Sequence, residues 1–352
     1  MRVSLSVLVV DDSAFFRNRI ADVLRGAPDI RVVGFAVDGE EAVRKAHTLR
    51  PDVITMDIQM PCMDGITAVQ RIMAECPSRI LMFSAYTREG ARETLAALEA
   101  GAIDFMSKER TSLGDQMTAS MERSQFLERI RAVGQSRLPR RQVGMSARGG
   151  VSLTGAQTSP SSHRQTAVLV IGASTGGPVA LQNILCGLPR HFPLPLAVAV
   201  HMPGSFTTAY AERLNSLCAI DVREASDHEP LHPGLVLVAP GGRQMLVEKG
   251  TSGPVVRVRN ALPGDIYHPS VDQLFSSASR SFGPEVLALV LTGMGADGLR
   301  GARQLKSAGG LLWSQNEKSC VVYGMPHAVE QAGLSDRVLP LDEISTELVK
   351  FL

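Results

Sequence analysis

One segment near the middle of the chain, Val168 to Pro178, joins a run of apolar, mostly β-branched residues to a glycine-rich turn. The apolar run predicts a buried strand, the turn presents Ser174, and the apolar-periodic residues Val179 to Leu188 predict a helix. A hydroxyl at the apex of such a unit lies near backbone N–H groups and the positive helix end, as an acyl-transfer nucleophile requires. Dinucleotide-binding folds bind phosphate with the same unit, so both interpretations stay open here.

Length and composition predict a two-domain globular protein, because 352 residues are too many for one hydrophobic core. Lys plus Arg (36) balance Asp plus Glu (35), which does not favour a nucleic-acid partner. No apolar run reaches the roughly 18 residues of a membrane span, so no membrane insertion is expected. The cysteines are scattered without a CxxC pair, which favours a reducing compartment and argues against zinc. We therefore expect a cytoplasmic protein.

Residues 1–134 are predicted to form a first domain, an α/β fold with a doubly wound parallel sheet, because apolar strand-like runs alternate with helix-period segments. In such folds the chemistry lies beyond the carboxyl ends of the strands. The predicted strands are Val7–Val10, Val32–Ala36, Val53–Met56, Ile80–Phe83 and Ile103–Met106.

Polar residues at the ends of these strands predict a phosphoryl-transfer site. Asp11 and Asp12 follow the first strand, Asp57 the third, Ser84 the fourth and Lys108 the last. Converging carboxylates repel one another unless a divalent cation lies among them, and oxygen ligands suit Mg²⁺. A carboxylate beside Mg²⁺ can accept a phosphoryl group, whose oxygens a hydroxyl and a lysine can then bind. Solvated turn acids are the alternative, but they would not be expected at successive strand ends.

This pattern, with Met60-Pro-x-Met-Asp-Gly65 and Ser107-Lys108, resembles the receiver domain of two-component response regulators. The resemblance implies that Asp57 accepts a phosphoryl group from a histidine kinase of the chemotaxis type. It also implies that Mg²⁺ is bound by Asp11, Asp12, Asp57 and the backbone carbonyl of Gln59. The switch residues of the receiver would be Ser84, Phe105 and Lys108.

The chain departs from this family after the lysine, where receivers usually carry a proline, often in cis, and this chain has Glu109. A cis bond before a residue other than proline costs about 2.5–4 kcal/mol. We therefore predict a trans Lys108–Glu109 bond and a shifted loop.

Residues 135–165 are predicted to be a flexible basic linker. The segment is rich in Ser, Gly, Pro and Arg and has no acidic residue, so it cannot bury a core. Because it lacks interleaved aromatic residues and a recognition helix, we prefer a solvated tether to a nucleic-acid-binding segment.

Residues 166–352 are predicted to form a second, larger and mostly parallel α/β domain, in which Ser174, His201 and Asp297 each follow an apolar strand. A Ser–His–Asp triad needs this arrangement, since the histidine removes the hydroxyl proton and the carboxylate fixes its tautomer. The order Ser, His, Asp differs from that of α/β-hydrolases, so the match of Gly172-x-Ser-x-Gly176 to a nucleophile elbow does not imply that fold.

A competing motif, Gly293-x-Gly-x-x-Gly298, follows a predicted strand and is trailed by Glu317, as in a dinucleotide-binding fingerprint. Asp297 lies inside this loop, where its charge would repel a pyrophosphate. Beside an imidazolium the same charge is favourable, so the chemistry favours the triad.

The motifs of the second domain resemble the chemotaxis methylesterase (CheB) family. The resemblance implies the triad Ser174, His201 and Asp297, an oxyanion hole with the backbone N–H of Met294 and with Thr175 beside the nucleophile, and no cofactor in the esterase site. Gln244 stands where relatives often carry His and is assigned no role. The motifs are Ile171-Gly-Ala-Ser-Thr-Gly-Gly-Pro178, His201-Met-Pro203, Ala239-Pro-Gly-Gly242, His268-Pro-Ser-Val-Asp272, Thr292-Gly-Met-Gly-x-Asp-Gly298 and Tyr323-Gly-Met-Pro326.

The resemblance implies a phosphorylation-controlled protein-glutamate methylesterase. Its substrates would be glutamate γ-methyl esters on the cytoplasmic helices of chemoreceptors, and it would also deamidate receptor glutamines. From the domain order we expect the first domain to cover the site until Asp57 is phosphorylated. The alternative is a response regulator whose second domain binds a nucleotide or a protein partner without catalysis.

Overall fold

The computed structural model describes residues 4–84, 87–108, 116–138 and 166–352. The Lys108–Glu109 bond and nearly all of the predicted linker lie outside these residues. Within the described part, none of the helices is both long and apolar enough to cross a bilayer.

The first domain has a five-stranded parallel sheet with the strand order 2-1-3-4-5. This arrangement confirms the predicted doubly wound fold. The strands are β1 (Leu5–Val10), β2 (Ile30–Ala36), β3 (Val53–Asp57), β4 (Ile80–Ser84) and β5 (Asp104–Ser107), and the helices are α1 (Ala14–Arg25), α2 (Gly39–Leu49), α3 (Gly65–Glu75), α4 (Arg88–Ala100) and α5 (Gln116–Gln135).

Local side-chain chemistry sets where several of these helices begin. The side chains of Asp38, Asp64 and Thr87 cap α2, α3 and α4 by accepting backbone N–H groups of the first turns. A Cβ at Gly65 would lie 2.0 Å from the carbonyl oxygen of Asp57. Only glycine therefore lets α3 start so close to the end of β3.

The second domain has a seven-stranded parallel sheet and a separate antiparallel hairpin. The strands of the sheet are β6 (Val168–Ala173), β7 (Leu196–Val200), β8 (Asp221–Glu224), β9 (Leu235–Val238), β12 (Val286–Val290), β13 (Leu311–Gln315) and β14 (Arg337–Leu339), and the hairpin is β10 (Arg243–Gly250) with β11 (Gly253–Asn260). The helices are α6 (Gly177–Cys186), α7 (Gly204–Leu217), α8 (Val271–Phe282), α9 (Leu299–Ser307), α10 (Met325–Gln331) and α11 (Leu341–Phe351).

The strand order 14-13-12-6-7-9-8 places β6 between β12 and β7. All residues of these three strands are buried, as expected for parallel strands covered on both faces. The carboxyl ends of three neighbouring strands therefore deliver Ser174, His201 and the loop that contains Asp297 to one edge of the sheet.

Candidate active site

Ser174 occupies the strand–turn–helix unit predicted from the sequence. Its backbone N–H donates to the carbonyl of Thr292 at 3.1 Å, and its own carbonyl accepts from Gly177 N at 2.7 Å. Gly176 caps α6 with φ 74°, in the left-handed region where glycine is favoured. The turn is therefore sharp, and the hydroxyl lies at the amino end of α6.

The structure brings the three predicted triad side chains into one hydrogen-bonded chain. The Oγ of Ser174 lies 3.1 Å from Nδ1 of His201, and Nε2 of His201 lies 2.8 Å from Oδ2 of Asp297. The carboxylate accepts from Nε2–H, so the neutral ring leaves Nδ1 free to accept the serine proton. The arrangement can deprotonate Ser174 and then stabilise the imidazolium that forms.

Asp297 is buried and fully engaged. Besides His201, its carboxylate accepts hydrogen bonds from the hydroxyl of Ser270 and the backbone N–H groups of Val271 and Asp272, at 2.7–3.0 Å. Burial would raise the pKa of Asp297, but the hydrogen bond from His201, the attraction of the protonated imidazole and these backbone donors hold that pKa below its ordinary value. The carboxylate thus stays ionised beside the histidine, in the loop that resembled a dinucleotide fingerprint.

Tyr267 and Gln244 support the histidine. The ring of Tyr267 stacks on His201 with centroids 4.5 Å apart and planes 6° apart. Gln244 is fully buried, donates to the carbonyl of Tyr267 at 2.7 Å and to Asp265 at 3.1 Å, and accepts from Ser270 N. No role was predicted for Gln244, which stands where relatives often carry His; its partners lie 21 to 26 residues further along the chain, where no sequence pattern connects them to it.

Of the two residues expected at the oxyanion hole, Thr175 follows Ser174 directly, and Met294 follows a glycine that lies beside Ser174. Gly293, which precedes Met294, is so near that a Cβ there would lie 2.8 Å from the Cβ of Ser174. The carbonyl of Thr175 accepts from the hydroxyl of Thr292 at 3.0 Å. Donation from Met294 and Thr175 to an oxyanion stays a prediction.

The predicted phosphoryl-acceptor residues also converge. Carboxylate oxygens of Asp11, Asp12 and Asp57 lie within 4.8 Å of one another, and Lys108 Nζ lies 2.7 Å from Asp57 Oδ2 and 2.9 Å from Asp11 Oδ2. Burial raises the pKa of Asp57 to about 6, although the hydrogen bond and charge of Lys108 oppose the rise. Hard oxygen donors of this kind fit Mg²⁺.

The remaining predicted residues of the first domain have defined positions. The hydroxyl of Ser84 donates to the carbonyl of Gly90 at 3.0 Å. The side-chain amide of Gln59 donates to the Glu93 carboxylate at 3.2 Å, while metal binding by its backbone carbonyl stays a prediction. Phe105 is buried, and its ring contacts Phe206 of the second domain.

The first domain packs against the second beside the nucleophile. Phe105 stacks on Phe206 of α7, with ring centroids 4.5 Å apart. The hydroxyl of Thr175 donates to Oδ2 of Asp104 at 2.9 Å. Two ion pairs flank these buried contacts and join α4 to α7, namely Glu99 with Arg213 and Arg92 with Glu212.

Comparison with known proteins agrees with both halves of this arrangement. A family model described as CheB methylesterase matches residues 169–348, and one described as response regulator receiver domain matches residues 7–116. The protein-glutamate methylesterase/protein-glutamine glutaminase of group 1 operon from Pseudomonas putida KT2440 is 45% identical over 99% of both chains. The protein-glutamate methylesterase/protein-glutamine glutaminase from Colwellia psychrerythraea is also 45% identical over 99% of both chains.

Solved structures include similar domains. The CheB methylesterase catalytic domain from Thermotoga maritima is 35% identical, with a TM-score of 0.52, and covers 54% of this chain and 100% of its own. The response regulator domain of Thermotoga maritima CheB is 46% identical, with a TM-score of 0.34, and covers 38% of this chain and 98% of its own. The chain therefore belongs to the CheB methylesterase family, and it is an enzyme in which a receiver domain precedes the methylesterase domain.

Proposed function

We propose that this enzyme hydrolyses glutamate γ-methyl esters on chemoreceptors, with release of methanol, deamidates receptor glutamines at the same site, and is controlled by phosphorylation of Asp57. The observation that carries the proposal is the hydrogen-bonded chain from Ser174 through His201 to Asp297 in a methylesterase domain. The names of the relatives support both reactions.

In the proposed mechanism, Ser174 Oγ attacks the γ-carbonyl carbon while Nδ1 of His201 takes the hydroxyl proton. The imidazolium keeps its Nε2–H bond to Asp297 and returns the proton to the methoxide as methanol leaves. Backbone donors at Met294 and Thr175 would bind the oxyanion. Water, deprotonated by the same nitrogen, then releases the acyl group as a glutamate carboxylate. With a glutamine substrate the leaving group is ammonia, and the other steps are the same.

We propose that Asp57 accepts a phosphoryl group from a chemotaxis-type histidine kinase. Asp11, Asp12, Asp57 and the carbonyl of Gln59 would hold Mg²⁺, which when bound neutralises charge on the phosphoryl oxygens. Lys108, which contacts Asp57 already, would bind a phosphoryl oxygen, and Ser84 would bind another. Because the proposed kinase and the proposed substrate helices are cytoplasmic, we propose that this activity takes place in the cytoplasm.

The control step rests on β5, because this strand faces both sites. Lys108 follows its carboxyl end, while Asp104 and Phe105 at its start contact Thr175 and Phe206. A phosphoryl group that draws Lys108 to itself would change the packing of β5 and favour conformations in which the receiver domain leaves the site.

Methanol release from methylated receptor membranes tests the proposal, with and without a small phosphodonor and Mg²⁺. Release should increase with the donor, vanish in Ser174→Ala and lose its response to the donor in Asp57→Asn. If the folded wild-type protein releases no methanol under either condition, the non-catalytic regulator is the better description.

A further inference from the structure

A cleft of about 300 Å³ on the methylesterase domain is lined by arginines and has no part in the mechanism above. It lies between the β10–β11 hairpin, α8 and α9. Its polar lining consists of Arg259, Gln273, Ser276, Arg280, Arg300 and Gln304.

The fold aligns these side chains on adjoining surfaces. Gln273, Ser276 and Arg280 are spaced i, i+3 and i+7 on α8, and Arg300 and Gln304 are spaced i, i+4 on α9, so each set shares one helix face. The two helices can approach closely because residue 301 is a glycine. A Cβ at this position would lie only 2.7 Å from the carbonyl oxygen of Asp272 and would force the helices apart. From the hairpin, Nη2 of Arg259 donates to Oε1 of Gln273 at 2.7 Å.

The cleft carries excess positive charge. Arg300 is 3.5 Å from the carboxylate of Asp272, which also accepts the backbone N–H groups of Gly298 and Gly301. Asp265, which is not part of the lining, accepts from Gln273 and interacts with the charge of Arg259. Arg280 is exposed and forms no ion pair with any residue that the structure describes. The cleft therefore offers guanidinium groups whose charge is only partly balanced.

The cleft adjoins the triad through residues other than those that contact the receiver domain. Asp272, which pairs with Arg300, donates its backbone N–H to Oδ1 of the triad residue Asp297 at 2.9 Å. The receiver domain instead contacts Thr175 and the α7 residues Phe206 and Arg213. Among the described contacts between the domains, none involves a side chain that lines the cleft.

We propose that this cleft binds glutamate carboxylates on the same polypeptide that presents the scissile ester. The inference rests on the proposed function, because each turnover leaves a carboxylate on the substrate next to esters that remain. On a helical substrate, neighbouring glutamates lie one or two turns, about 5–11 Å, along the axis from the ester. Guanidinium groups bind carboxylates through paired, charge-assisted hydrogen bonds.

A charge reversal at Arg280 tests the inference, since this side chain takes no part in the triad network. In the full chain with phosphodonor and Mg²⁺, Arg280→Glu should raise the KM for methylated receptor membranes roughly fivefold, as expected for an exposed ion pair. Its kcat, and its kcat/KM for a small glutamate γ-methyl ester, should equal those of the wild type. Arg280→Lys keeps the charge and should retain most of the affinity for receptor membranes. Arg303→Glu makes the same charge reversal on α9, outside the cleft, and is the matched control.

Binding provides a second measurement. Ser174→Ala should bind a helical alanine–glutamate peptide more tightly than its glutamine counterpart, and the added Arg280→Glu change should remove the difference. The inference would be wrong if Arg280→Glu and Arg303→Glu had the same KM for receptor membranes, or if the two peptides bound equally. Either result would count even if the receptor esters and the small ester were both hydrolysed. If the wild-type protein hydrolysed neither the receptor esters nor the small ester, the proposed function itself would be wrong.

Discussion

The hydroxyl of Thr175 donates a hydrogen bond of 2.9 Å to Oδ2 of Asp104, although the two residues lie 71 positions apart and in different domains. The same carboxylate oxygen is 3.4 Å from Nε of Arg129 on α5. Both Thr175 and Asp104 are buried, so the bond lies inside the interface. The receiver domain is therefore anchored to the residue that follows the nucleophile.

Loss of this anchor should release the active site. We expect Asp104→Ala to raise methanol release without phosphodonor by about tenfold or more, because a buried hydrogen bond to a charged group contributes about 1.5–3 kcal/mol. Activity with phosphodonor should change little. Asp104→Asn retains an acceptor oxygen and serves as the control, and a basal rate of Asp104→Ala equal to that of the wild type would contradict the prediction.

The ion pair between Glu99 and Arg213 allows a charge-swap experiment. Glu99→Arg places two guanidinium groups side by side and should raise the basal rate two- to fivefold, since partly exposed pairs contribute up to about 1 kcal/mol. The double variant Glu99→Arg/Arg213→Glu should return to the wild-type rate, as a double-mutant cycle of basal rates would show. If the two changes were additive, the pair would not hold the domains together.

Asp297→Asn should lower kcat for a small glutamate ester by roughly 10⁴-fold with little change in KM. An amide cannot stabilise the imidazolium as a carboxylate does, and it no longer selects the tautomer in which Nδ1 accepts the serine proton. Steady-state kinetics and a thermal melt together check this prediction. A folded variant with unchanged kcat would show that Asp297 is structural only.

The raised pKa of Asp57 predicts a pH limit on phosphorylation. The acceptor must be ionised, so without Mg²⁺ its carboxylate signal in ¹³C NMR should titrate near the pKa of about 6. Lys108 lowers the pKa of Asp57, and Lys108→Met should therefore move the midpoint to higher pH. A midpoint that is unchanged in this variant would mean that Lys108 does not contact Asp57 in solution.

Removal of the buried amide of Gln244 should lower both stability and activity. Gln244→Ala leaves the carbonyl of Tyr267 and the N–H of Ser270 without their partner, at a cost of about 1–3 kcal/mol for each buried polar group left unsatisfied. We expect a lower thermal midpoint and a reduced kcat/KM, because Tyr267 no longer holds the ring of His201. Gln331→Ala, at an exposed position outside the cleft and the triad network, should leave both quantities unchanged.

The strands that end at the catalytic and phosphoryl-acceptor residues could be predicted from the sequence. Buried parallel strands appear as continuous apolar runs, and the polar residues follow at their ends. Which nitrogen of His201 faces Ser174 could not be predicted, since that depends on how the ring is held between Tyr267 and Asp297. Three strands of the second sheet were not predicted: β8 and β14 are short and largely exposed, and the apolar run of β13 is only three residues long. The hydrogen bond between Thr175 and Asp104 could not be predicted either, because it joins separate domains and no periodic pattern in the sequence marks it.

Strand β5 has four residues, and the step from Asp104 to Lys108 spans about 13 Å of extended backbone. The chemical event at Asp57 and the docking contact at Thr175 therefore lie at opposite ends of one short peptide. Docking and phosphoryl binding therefore share one strand, whose start at Asp104 sets the resting rate of the esterase and whose end at Lys108 binds the phosphoryl group. Helices α4 and α7, where Glu99 pairs with Arg213 and Arg92 with Glu212, offer a second place at which the resting rate is adjusted, without any change on β5.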